Sequence, residues 1–395
     1  MKLDVQHALI ERFVRHRQQG TTDMAPHSLR VPASHYTDPA QTAREIDIWF
    51  RQSPLLVALT PELPEPGSYV TVEAAGTSLL LVRDDHRRAR AFINACRHRG
   101  ARIAEGRGQA RTFSCPFHAW NWARDGRLIS RPNSCGGFDD AGDAFSHLLE
   151  VESLETAGMI FVLLRGSGID VKVRHLLGDA LDEIARYGIE NTVYFGSRST
   201  ERACNYKLIM DGFTESYHIA ALHKRTINPY YYTHPGLTDA FGPTVRMIGV
   251  RSSIDRELEK PAADQRLLPH GTTQYLIPPN VVLTHQVDHI QFWQMYPIDG
   301  APDRCSIHFS LYWPAPMDEE AERKSQFNID VIWNVTTEED FPQSLAIQRN
   351  LASGAVPELV FGRNEPALIH YHQQIAAAMG SRELKPCSPD ARADG

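Results

Sequence analysis

The chain has 395 residues, of which 42% are hydrophobic and 23% are charged, and its formal net charge is −7. This is an ordinary globular composition, and the chain is long enough for more than one core. The negative charge argues against a nucleic-acid-binding protein, and no apolar run approaches the roughly 18 residues that a membrane-spanning helix needs. We therefore expect neither a nucleic-acid partner nor a membrane partner.

The N-terminal segment, residues 1–20, is predicted to form an amphipathic helix. Its apolar residues recur at helical spacing: Leu3, Val5, Leu9, Ile10, Phe13 and Val14. The segment lacks the apolar core of a signal peptide, and six cysteines do not make a disulfide framework at this length. We expect a cytoplasmic protein with plain thiols at Cys135, Cys204, Cys305 and Cys387.

A small antiparallel β domain is predicted next. A proline-rich loop at residues 61–67 precedes short alternating segments that are separated by turn signals such as Asp125-Gly126. The predicted strands cover residues 69–72, 78–82, 91–94, 112–114 and 159–164. The domain boundary is expected near residues 166–168, which read Gly-Ser-Gly.

Two short segments in this domain each pair one thiol with one imidazole. One residue separates Cys96 from His98, two residues separate Cys115 from His118, and 16 residues lie between the two segments. The same four side chains can bind zinc. Their asymmetric spacing favours a [2Fe–2S] cluster in which two cysteines bind one iron and two histidines bind the other. Neutral imidazole ligands raise the reduction potential of such a cluster to roughly −150 to +300 mV, which suits an electron carrier.

With Gly100 after the first segment, and Trp120 and Trp122 after the second, this part of the chain resembles a Rieske domain. A structural zinc knuckle is the alternative.

The remainder of the chain mixes helices with apolar strands. A helical pattern covers residues 171–187, and strands are predicted at residues 281–283, 290–295 and 306–313. Because helices and strands do not alternate regularly, we expect an α+β fold. The tail, from residue 385 onward, is rich in Pro, Ser and charged residues and is expected to be frayed.

A second group of candidate ligands lies in residues 205–223, NYKLIMDGFTESYHIAALH. On a continuous helix Asp211, Glu215 and His218 share one face. His218 and His223 do not, because five helical residues turn by about 500°. The two histidines can meet at one metal if the helix ends between them or carries a π-bulge. Together with one carboxylate they would form the facial triad of a ferrous site, which leaves one side open for O2.

The order of the two constellations resembles the large (α) subunit of the Rieske non-heme iron oxygenases. That family's motif is Asn-Trp-Lys followed by Asn-Phe-x-Glu/Asp-x-Tyr-His-x4-His. Seven residues match it: Asn205, Lys207, Phe213, Glu215, Tyr217, His218 and His223. Tyr206 replaces the usual Trp, and Gly212 replaces an Asn whose amide lies close to the iron in relatives. The resemblance extends from about residue 45 to about residue 355.

The resemblance implies a carboxylate as third iron ligand, far downstream. Asp340 occupies the family's ligand position in the run Thr-Thr-Glu-Glu-Asp-Phe, residues 336–341. Glu339 is the alternative, since it is adjacent. An acidic run is also favoured at a helix N-terminus for its interaction with the helix dipole.

The resemblance also implies a domain organisation. Residues 1–45 would be a helical segment packed on the catalytic domain, and residues 46–166 the antiparallel Rieske domain. Residues 167–385 would form a catalytic domain of helix-grip (START-like) fold with an antiparallel sheet, and residues 386–395 the frayed tail.

The implied activity is that of an enzyme, an oxidoreductase that incorporates O2, with one [2Fe–2S] cluster and one mononuclear Fe(II) per chain. The chain has no flavin or nicotinamide fingerprint, so electrons would come from NAD(P)H through a separate reductase or ferredoxin. In the family, three subunits form a ring in which the cluster of one subunit adjoins the iron of the next, and we expect a homotrimer or a multiple of it. Glu215 would accept hydrogen bonds from His218 and from the neighbouring subunit's cluster ligand, His118.

The substrate is expected to be a small aromatic or cyclic compound that is hydroxylated or demethylated, as in aromatic hydrocarbon catabolism. Seven aromatic residues are candidates for lining an apolar pocket, although most of them are expected to belong to the core: Tyr230, Tyr231, Tyr232, Phe292, Trp293, Tyr296 and Trp313. Aromatic faces also bind quaternary ammonium groups, and Glu215 is shared with relatives that oxidise carnitine, choline or betaine. A trimethylammonium substrate is therefore the alternative. Arg246 and Arg251 are candidates for binding a substrate carboxylate, although scattered surface arginines are common. An electron-transfer protein without catalytic activity and a structural zinc protein are the remaining hypotheses.

Overall fold

The computed structural model describes residues 1–140, 142, 146–380 and 384, and these residues form two compact units. The first unit contains Met1–Phe50, Arg174–Tyr187 and the chain from Thr192 onward; the second contains Arg51–Val173 and Gly188–Asn191. These limits lie a few residues beyond the predicted limits of 46 and 166. The predicted frayed tail, residues 386–395, and the predicted thiol Cys387 lie outside the described residues.

The α-helices of the described residues are, in chain order, α1 (Leu3–Gln19), α2 (Ser34–Thr37), α3 (Pro39–Arg44), α4 (Ile169–Leu177), α5 (Ala180–Ile184), α6 (Tyr206–Phe213), α7 (Ile219–Leu222), α8 (Ile254–Leu258), α9 (Glu319–Val335), α10 (Phe341–Ala352) and α11 (Pro366–Ala378). Two π-helical turns, Glu45–Phe50 and Thr336–Asp340, follow α3 and α9. None of these helices is long and apolar enough to cross a membrane.

The strands of the described residues are β1 (Leu29–Pro32), β2 (Leu55–Leu59), β3 (Ser68–Ala74), β4 (Thr77–Arg83), β5 (Ala89–Ile93), β6 (Arg107–Gln109), β7 (Phe113–Ser114), β8 (Asn121–Trp122), β9 (Leu128–Ser130), β10 (Glu150–Thr156), β11 (Met159–Leu163), β12 (Thr192–Arg202), β13 (Tyr231–Phe241), β14 (Thr244–Arg251), β15 (Gly271–Ile277), β16 (Val281–His285), β17 (Ile290–Pro297), β18 (Cys305–Pro314) and β19 (Glu358–Phe361).

The second unit is a small antiparallel β domain. A seven-stranded sheet has the order β2-β11-β10-β5-β4-β3-β6, and a three-stranded sheet has the order β7-β8-β9. Alternating apolar residues of the larger sheet, such as Leu80, Val82 and Phe92, pack with Trp122 in a core that also contains both predicted cysteine ligands. Each predicted strand overlaps an observed one.

The first unit is built on a seven-stranded antiparallel sheet of order β12-β18-β17-β16-β15-β14-β13. Helix α9 lies against β12 and β18, α6 against β17, and α11 against β13 and β14. The apolar residues of α1 pack on β13 and β14, as Phe13 does on Leu237 and Val250. A two-stranded sheet of β1 and β19 completes this unit. The α+β fold class is confirmed.

The predicted helix over residues 171–187 is interrupted. Gly178 has φ of +50° and ends α4, and α5 begins at Ala180. A Cβ at Gly178 would lie 2.9 Å from the carbonyl oxygen of Phe241, so this turn requires glycine. The periodicity of the sequence does not report such a close approach. Among the described cysteines, Cys135, Cys204 and Cys305 are free thiols, which confirms that prediction.

Candidate functional site

Each Cys/His segment of the β domain forms a tight loop that closes on its own cysteine. The amide of Gly100 donates to the carbonyl oxygen of Cys96 at 2.8 Å, and the amide of Ala119 donates to that of Cys115 at 3.0 Å. Gly100 and Ala119 both have positive φ, 73° and 55°. The two loops therefore present one thiol and one imidazole each on the same kind of turn, despite their different spacing.

The structure brings the four predicted cluster ligands together. The rings of His98 and His118 are 4.7 Å apart between centroids, and the thiols of Cys96 and Cys115 lie within hydrogen-bonding distance of each other. His98 Nδ1 is buried and has no hydrogen-bond partner among the described residues. A buried nitrogen without a partner is costly, and a metal ion would remove that cost. The two thiols and two imidazoles fit a Rieske-type [2Fe–2S] cluster.

Aromatic side chains support one side of this group. The ring of Trp120 stacks on the ring of His98, with 5.2 Å between the centroids and an angle of 7° between the planes. The ring of Phe138 packs edge-on against both. Arg131 lies over Trp120 at 4.9 Å. On the other side His118 is exposed, and the side chain of Phe117 is 58% exposed. The roles of Phe138 and Arg131 were not predicted, because they follow the ligands in no recognisable motif.

The two histidines of the second constellation meet because the helix between them is a single turn. Helix α6 ends at Phe213, where the amide of Thr214 donates to the carbonyl oxygen of Asp211 at 3.1 Å. His218 then precedes α7 and His223 follows it. Of the two predicted alternatives, a helix end and a π-bulge, the structure has the helix end.

The prediction that Asp211 shares a face with Glu215 and His218 is wrong, because α6 ends before Glu215. Asp211 instead accepts a hydrogen bond from the hydroxyl of Tyr36 at 2.7 Å and lies 2.8 Å from Nε2 of His372. It is a structural contact between α6 and α11.

The side chains of His218, His223 and Asp340 come together as a candidate facial triad. Asp340 Oδ1 lies 3.2 Å from His223 Nε2 and 3.6 Å from His218 Nε2, and the candidate ligand atoms all lie within 4.8 Å of one another. Asp340 is the last residue of the π-helical turn that joins α9 to α10. Such turns are frequent at functional sites. Two imidazoles and one carboxylate in this arrangement fit a ferrous ion.

A glutamate contacts the outer nitrogen of each triad histidine. Glu215 lies against His218 Nδ1 and accepts a hydrogen bond from the His218 amide at 3.0 Å. Glu339 Oε2 lies 2.6 Å from His223 Nδ1 and accepts from the hydroxyl of Thr226 at 3.0 Å. A proton held on Nδ1 leaves the lone pair of Nε2 free for a metal. The contact between Glu339 and His223 was not predicted; the adjacency of Glu339 to Asp340 was its only signal.

The electrostatic setting of His223 reflects these carboxylates. Its side chain is 2% exposed, and burial alone would lower its pKa. The hydrogen bonds and charges of Asp340 and Glu339 outweigh burial and raise the pKa above the usual value.

The motif residue Lys207 has a structural role. Lys207 and Glu45 are fully buried, and Lys207 Nζ lies 2.6 Å from both carboxylate oxygens of Glu45. The hydroxyl of Tyr206 donates to the same carboxylate at 3.0 Å. The amide oxygen of Asn205 accepts from the Lys207 amide and caps α6. These contacts fix the start of the helix that leads to the triad.

A cavity of about 850 Å3 opens on the triad. Of the seven aromatic residues predicted to line a pocket, Tyr231 and Trp293 do so. The other five are not among its lining residues: Tyr230, Tyr232, Phe292, Tyr296 and Trp313. Phe292, Tyr296 and Trp313 are buried core residues, in line with the expectation that most of the seven belong to the core. Successive side chains of a strand point to opposite faces, so Phe292 is turned away when Trp293 faces the cavity. Gly212 also lines the cavity, and a Cβ there would meet no atom within 4 Å.

The cavity wall contains several carboxylates but neither lysine nor arginine among its described residues. The lining residues with carboxylates are Asp23, Asp211, Glu215, Asp340 and Glu365, and no lysine or arginine occurs among the described lining residues. Arg246 was a candidate for binding a substrate carboxylate, with a surface arginine as the alternative. It fits neither, because its side chain is buried in ion pairs with Glu183 at 2.6 Å and Asp239 at 2.7 Å.

Comparison with known proteins adds two family matches. Residues 53–137 match the Rieske [2Fe-2S] domain, and residues 189–381 match the ring hydroxylating alpha subunit (catalytic domain). Among solved structures, a quaternary ammonium Rieske monooxygenase in complex with L-carnitine aligns with TM-score 0.75 and 20% identity over 91% of this chain and 97% of that chain. Naphthalene 1,2-dioxygenase with bound indole aligns with TM-score 0.71 and 15% identity over 89% and 92% of the two chains. These two likenesses show the fold.

Curated relatives are oxygenase subunits. The chain is 31% identical to the glycine betaine monooxygenase oxygenase subunit of Chromohalobacter salexigens over 51% of this chain and 44% of the relative. It is 32% identical to the carnitine monooxygenase oxygenase subunit of Escherichia coli over 49% of this chain and 52% of the relative. It therefore matches about half the length of these two proteins. The corresponding subunit of Acinetobacter baumannii is 25% identical over 82% of this chain and 85% of the relative.

The two family models occur in the order that the sequence motifs predicted, and each coincides with one group of candidate ligands. The Rieske domain implies a [2Fe–2S] cluster, and the catalytic domain implies a mononuclear iron. The chain belongs to the Rieske non-heme iron oxygenases, as a large (α) subunit.

Proposed function

We propose that this chain is the terminal oxygenase component of a multicomponent Rieske oxygenase, and that it oxidises a small quaternary ammonium compound with O2. The observation that carries the proposal is the triad of His218, His223 and Asp340 at the wall of a large cavity. An electron-transfer protein without catalytic activity has no use for such a cavity.

In this proposal Cys96, His98, Cys115 and His118 hold the cluster, and the triad holds the ferrous ion. Bound iron supplies the activation of O2, which protein side chains cannot supply alone. Glu215 and Glu339 keep a proton on Nδ1 of each histidine and so direct both Nε2 atoms towards the metal. Asp340 contributes the anionic ligand that favours ferrous iron.

The charge of the cavity supports a cationic substrate. Five carboxylates and no lysine or arginine occur among its described lining residues, and Phe213, Tyr231 and Trp293 present aromatic surface. Carboxylates attract a cation through space, and aromatic faces bind quaternary ammonium groups. The curated relatives that act on betaine and carnitine point to the same class.

A small aromatic or cyclic compound is the second candidate. The rings of Trp293 and Phe309 are stacked, with their centroids 4.2 Å apart, and form a flat apolar surface. The ring centroid of Phe213 lies 5.0 Å from that of Trp293. The open space at Gly212 adds room beside this surface. Such a surface can also accept a flat ring.

Electrons are proposed to come from NAD(P)H through a separate reductase or ferredoxin of the same cytoplasm. We propose a homotrimer, or a multiple of it, in which Glu215 of one subunit joins His218 to a neighbour's His118. Two exposed features support such a contact. His118 and Phe117 lie at the surface of the β domain, and Tyr217, two residues from Glu215, is 72% exposed.

The test is a substrate panel with a surrogate reductase. L-carnitine, glycine betaine and choline are compared with naphthalene and indole, and O2 uptake and product mass are followed. The proposal predicts O2 uptake coupled to oxidation of a quaternary ammonium compound by the wild type and none by Asp340→Ala. Oxidation of the aromatic compounds alone would select the second candidate.

A further inference from the structure

One buried amide on the cavity wall has only its oxygen bonded to the protein. Gln286 follows β16, lines the cavity and is 8% exposed. Its Oε1 accepts from Arg251 Nη2 at 2.9 Å, from the Thr272 hydroxyl at 2.8 Å and from the Tyr231 hydroxyl at 3.4 Å. Three donors on three different strands therefore converge on one atom.

The identity of that atom follows from chemistry. A guanidinium group only donates hydrogen bonds, so the amide atom that faces Arg251 must be the oxygen. The Nε2 of Gln286 is then directed away from Arg251. Among the residues that the structure describes, no group hydrogen-bonds to it. Gln286 Nε2 is not one of the fully buried polar atoms, so it keeps accessible surface where the side chain lines the cavity. An acceptor in the cavity can therefore hydrogen-bond to this amide nitrogen.

The three groups that donate to Gln286 Oε1 are held in place by hydrogen bonds to one another. Arg251 Nε donates to the Tyr231 hydroxyl at 3.1 Å, and that hydroxyl lies 2.8 Å from the hydroxyl of Thr272. Tyr231 and Arg251 are direct neighbours in the pairing of β13 with β14. The amide of Gln286 thus cannot turn over without breaking three hydrogen bonds.

We propose that Nε2 of Gln286 binds an acceptor oxygen of the substrate, a carboxylate or carbonyl oxygen, and that Arg251 is the positioning residue behind it. The inference rests on the proposed function and deepens it. The substrate would then carry a cationic end and an oxygen-bearing end. Arg251 draws electron density from the amide oxygen and strengthens the N–H donor, so an anionic oxygen is favoured although no lysine or arginine occurs among the described lining residues.

The experiment measures binding by calorimetry to the anaerobic holoenzyme. The probes are γ-butyrobetaine and 4-methylpentyltrimethylammonium, in which two methyl groups replace the carboxylate oxygens. Benzoate and isopropylbenzene form an equivalent aromatic pair. In Gln286→Glu the donor becomes an acceptor of nearly the same shape. We expect this variant to bind γ-butyrobetaine at least about tenfold more weakly, the range for a hydrogen bond to a charged group, and to bind the hydrocarbon analogue as well as the wild type does or better.

Gln343→Glu is the matched control, because Gln343 lines the same cavity from α10 and the substitution adds the same charge. It should leave the ratio of the two affinities unchanged. Unchanged thermal unfolding and an unchanged visible spectrum establish that each variant is folded and loaded.

The outcomes separate the two proposals. If neither cation binds but benzoate binds in a Gln286-dependent way, the quaternary ammonium substrate is rejected and the role of Gln286 stands. If no pair shows a preference for its oxygen-bearing member, or if Gln286→Glu leaves the preference intact, the role of Gln286 is overturned. Arg251→Met should lower the same preference and Arg251→Lys should restore part of it; an unchanged preference in Arg251→Met would remove Arg251 as the positioning residue.

Discussion

At the residue scale, each histidine of the candidate triad has a carboxylate close to both of its ring nitrogens. Asp340 Oδ1 faces the Nε2 atoms, whereas Glu215 and Glu339 lie against the Nδ1 atoms. The adjacent acids Glu339 and Asp340 therefore have different tasks, which their sequence does not distinguish. The π-helical turn separates them by directing one carboxylate to each side of His223.

This difference predicts different metal contents. Asp340→Ala should lose the mononuclear iron, so that metal analysis falls from about three irons per chain to about two, those of the cluster. Glu339→Gln should keep the site but weaken iron binding by roughly 10- to 100-fold, as removal of such an orienting carboxylate does. Glu338→Gln, at an exposed neighbour, is the control. Retention of iron in Asp340→Ala together with its loss in Glu339→Ala would exchange the two assignments.

Glu215 is predicted to couple the two metal sites. Glutamine has nearly the same length but no charge and an altered hydrogen-bond pattern. Glu215→Gln should retain both metals and a reducible cluster, whereas substrate-dependent reoxidation of the cluster should slow by about 10- to 100-fold or more. Single-turnover absorbance in the presence of substrate and O2 measures this rate. Reoxidation at the wild-type rate would show that Glu215 is not a bridge.

Most of the candidate ligands that the structure brings together could be selected from the sequence, because spacing within a short segment restricts geometry. Cys96 and His98, or His218 and His223, are close along the chain. Contacts across long sequence separations could not be predicted. Gln286 and Arg251 are 35 residues apart and meet only because β14, β15 and β16 are neighbours. No local pattern marks such a pair.

At the element scale, the main departure from the periodic pattern is that residues 206–223 form two helices. Helix α6 ends at Phe213, and the single turn of α7 ends at Leu222, between His218 and His223. A continuous helix over residues 206–223 would have separated His218 from His223. Periodicity alone does not distinguish one long helix from two short ones, since both keep apolar residues on the same face. The π-helical turn at Thr336–Asp340 has no sequence signature either.

The buried pair of Lys207 and Glu45 is predicted to be an important determinant of stability for α6. Neither side chain is exposed, and Glu45 also accepts from Tyr206. Glu45→Ala leaves a buried ammonium group without its partner, which costs about 3–5 kcal/mol. The free energy of unfolding from urea titration should fall by this amount, and Glu11→Ala, at an exposed carboxylate of α1, should change it little. A decrease below about 1 kcal/mol, within the range of exposed pairs, would contradict this view of the motif.

At the scale of the whole molecule, the two candidate metal sites belong to different compact units. His98→Cys and Cys115→Ser should therefore abolish the wild-type visible spectrum of the cluster while iron still binds to the triad. A thiolate in place of an imidazole should also lower the reduction potential of any cluster that forms. Absorption spectra together with iron analysis check both expectations. A wild-type spectrum in both variants would show that these residues are not ligands.

The α+β class and the order of the domains could be predicted from motifs and strand patterns. The limits of the units could not, because they depend on long-range contacts. Glu45 joins the first unit through its ion pair with Lys207, and Gly188–Asn191 joins the second although both neighbouring segments belong to the first. Neither the assignment of Glu45 to the first unit nor that of Gly188–Asn191 to the second can be inferred from position in the sequence.

The most direct measurement of the central claim is O2 uptake by the holoenzyme with a surrogate reductase, compared between the wild type and Asp340→Ala. We expect the wild type to consume O2 in step with oxidation of a quaternary ammonium compound. Asp340→Ala should keep a reducible [2Fe–2S] cluster but consume no O2 with substrate. Substrate oxidation at the wild-type rate by Asp340→Ala would show that the mononuclear site does not depend on Asp340 and would contradict the proposed function.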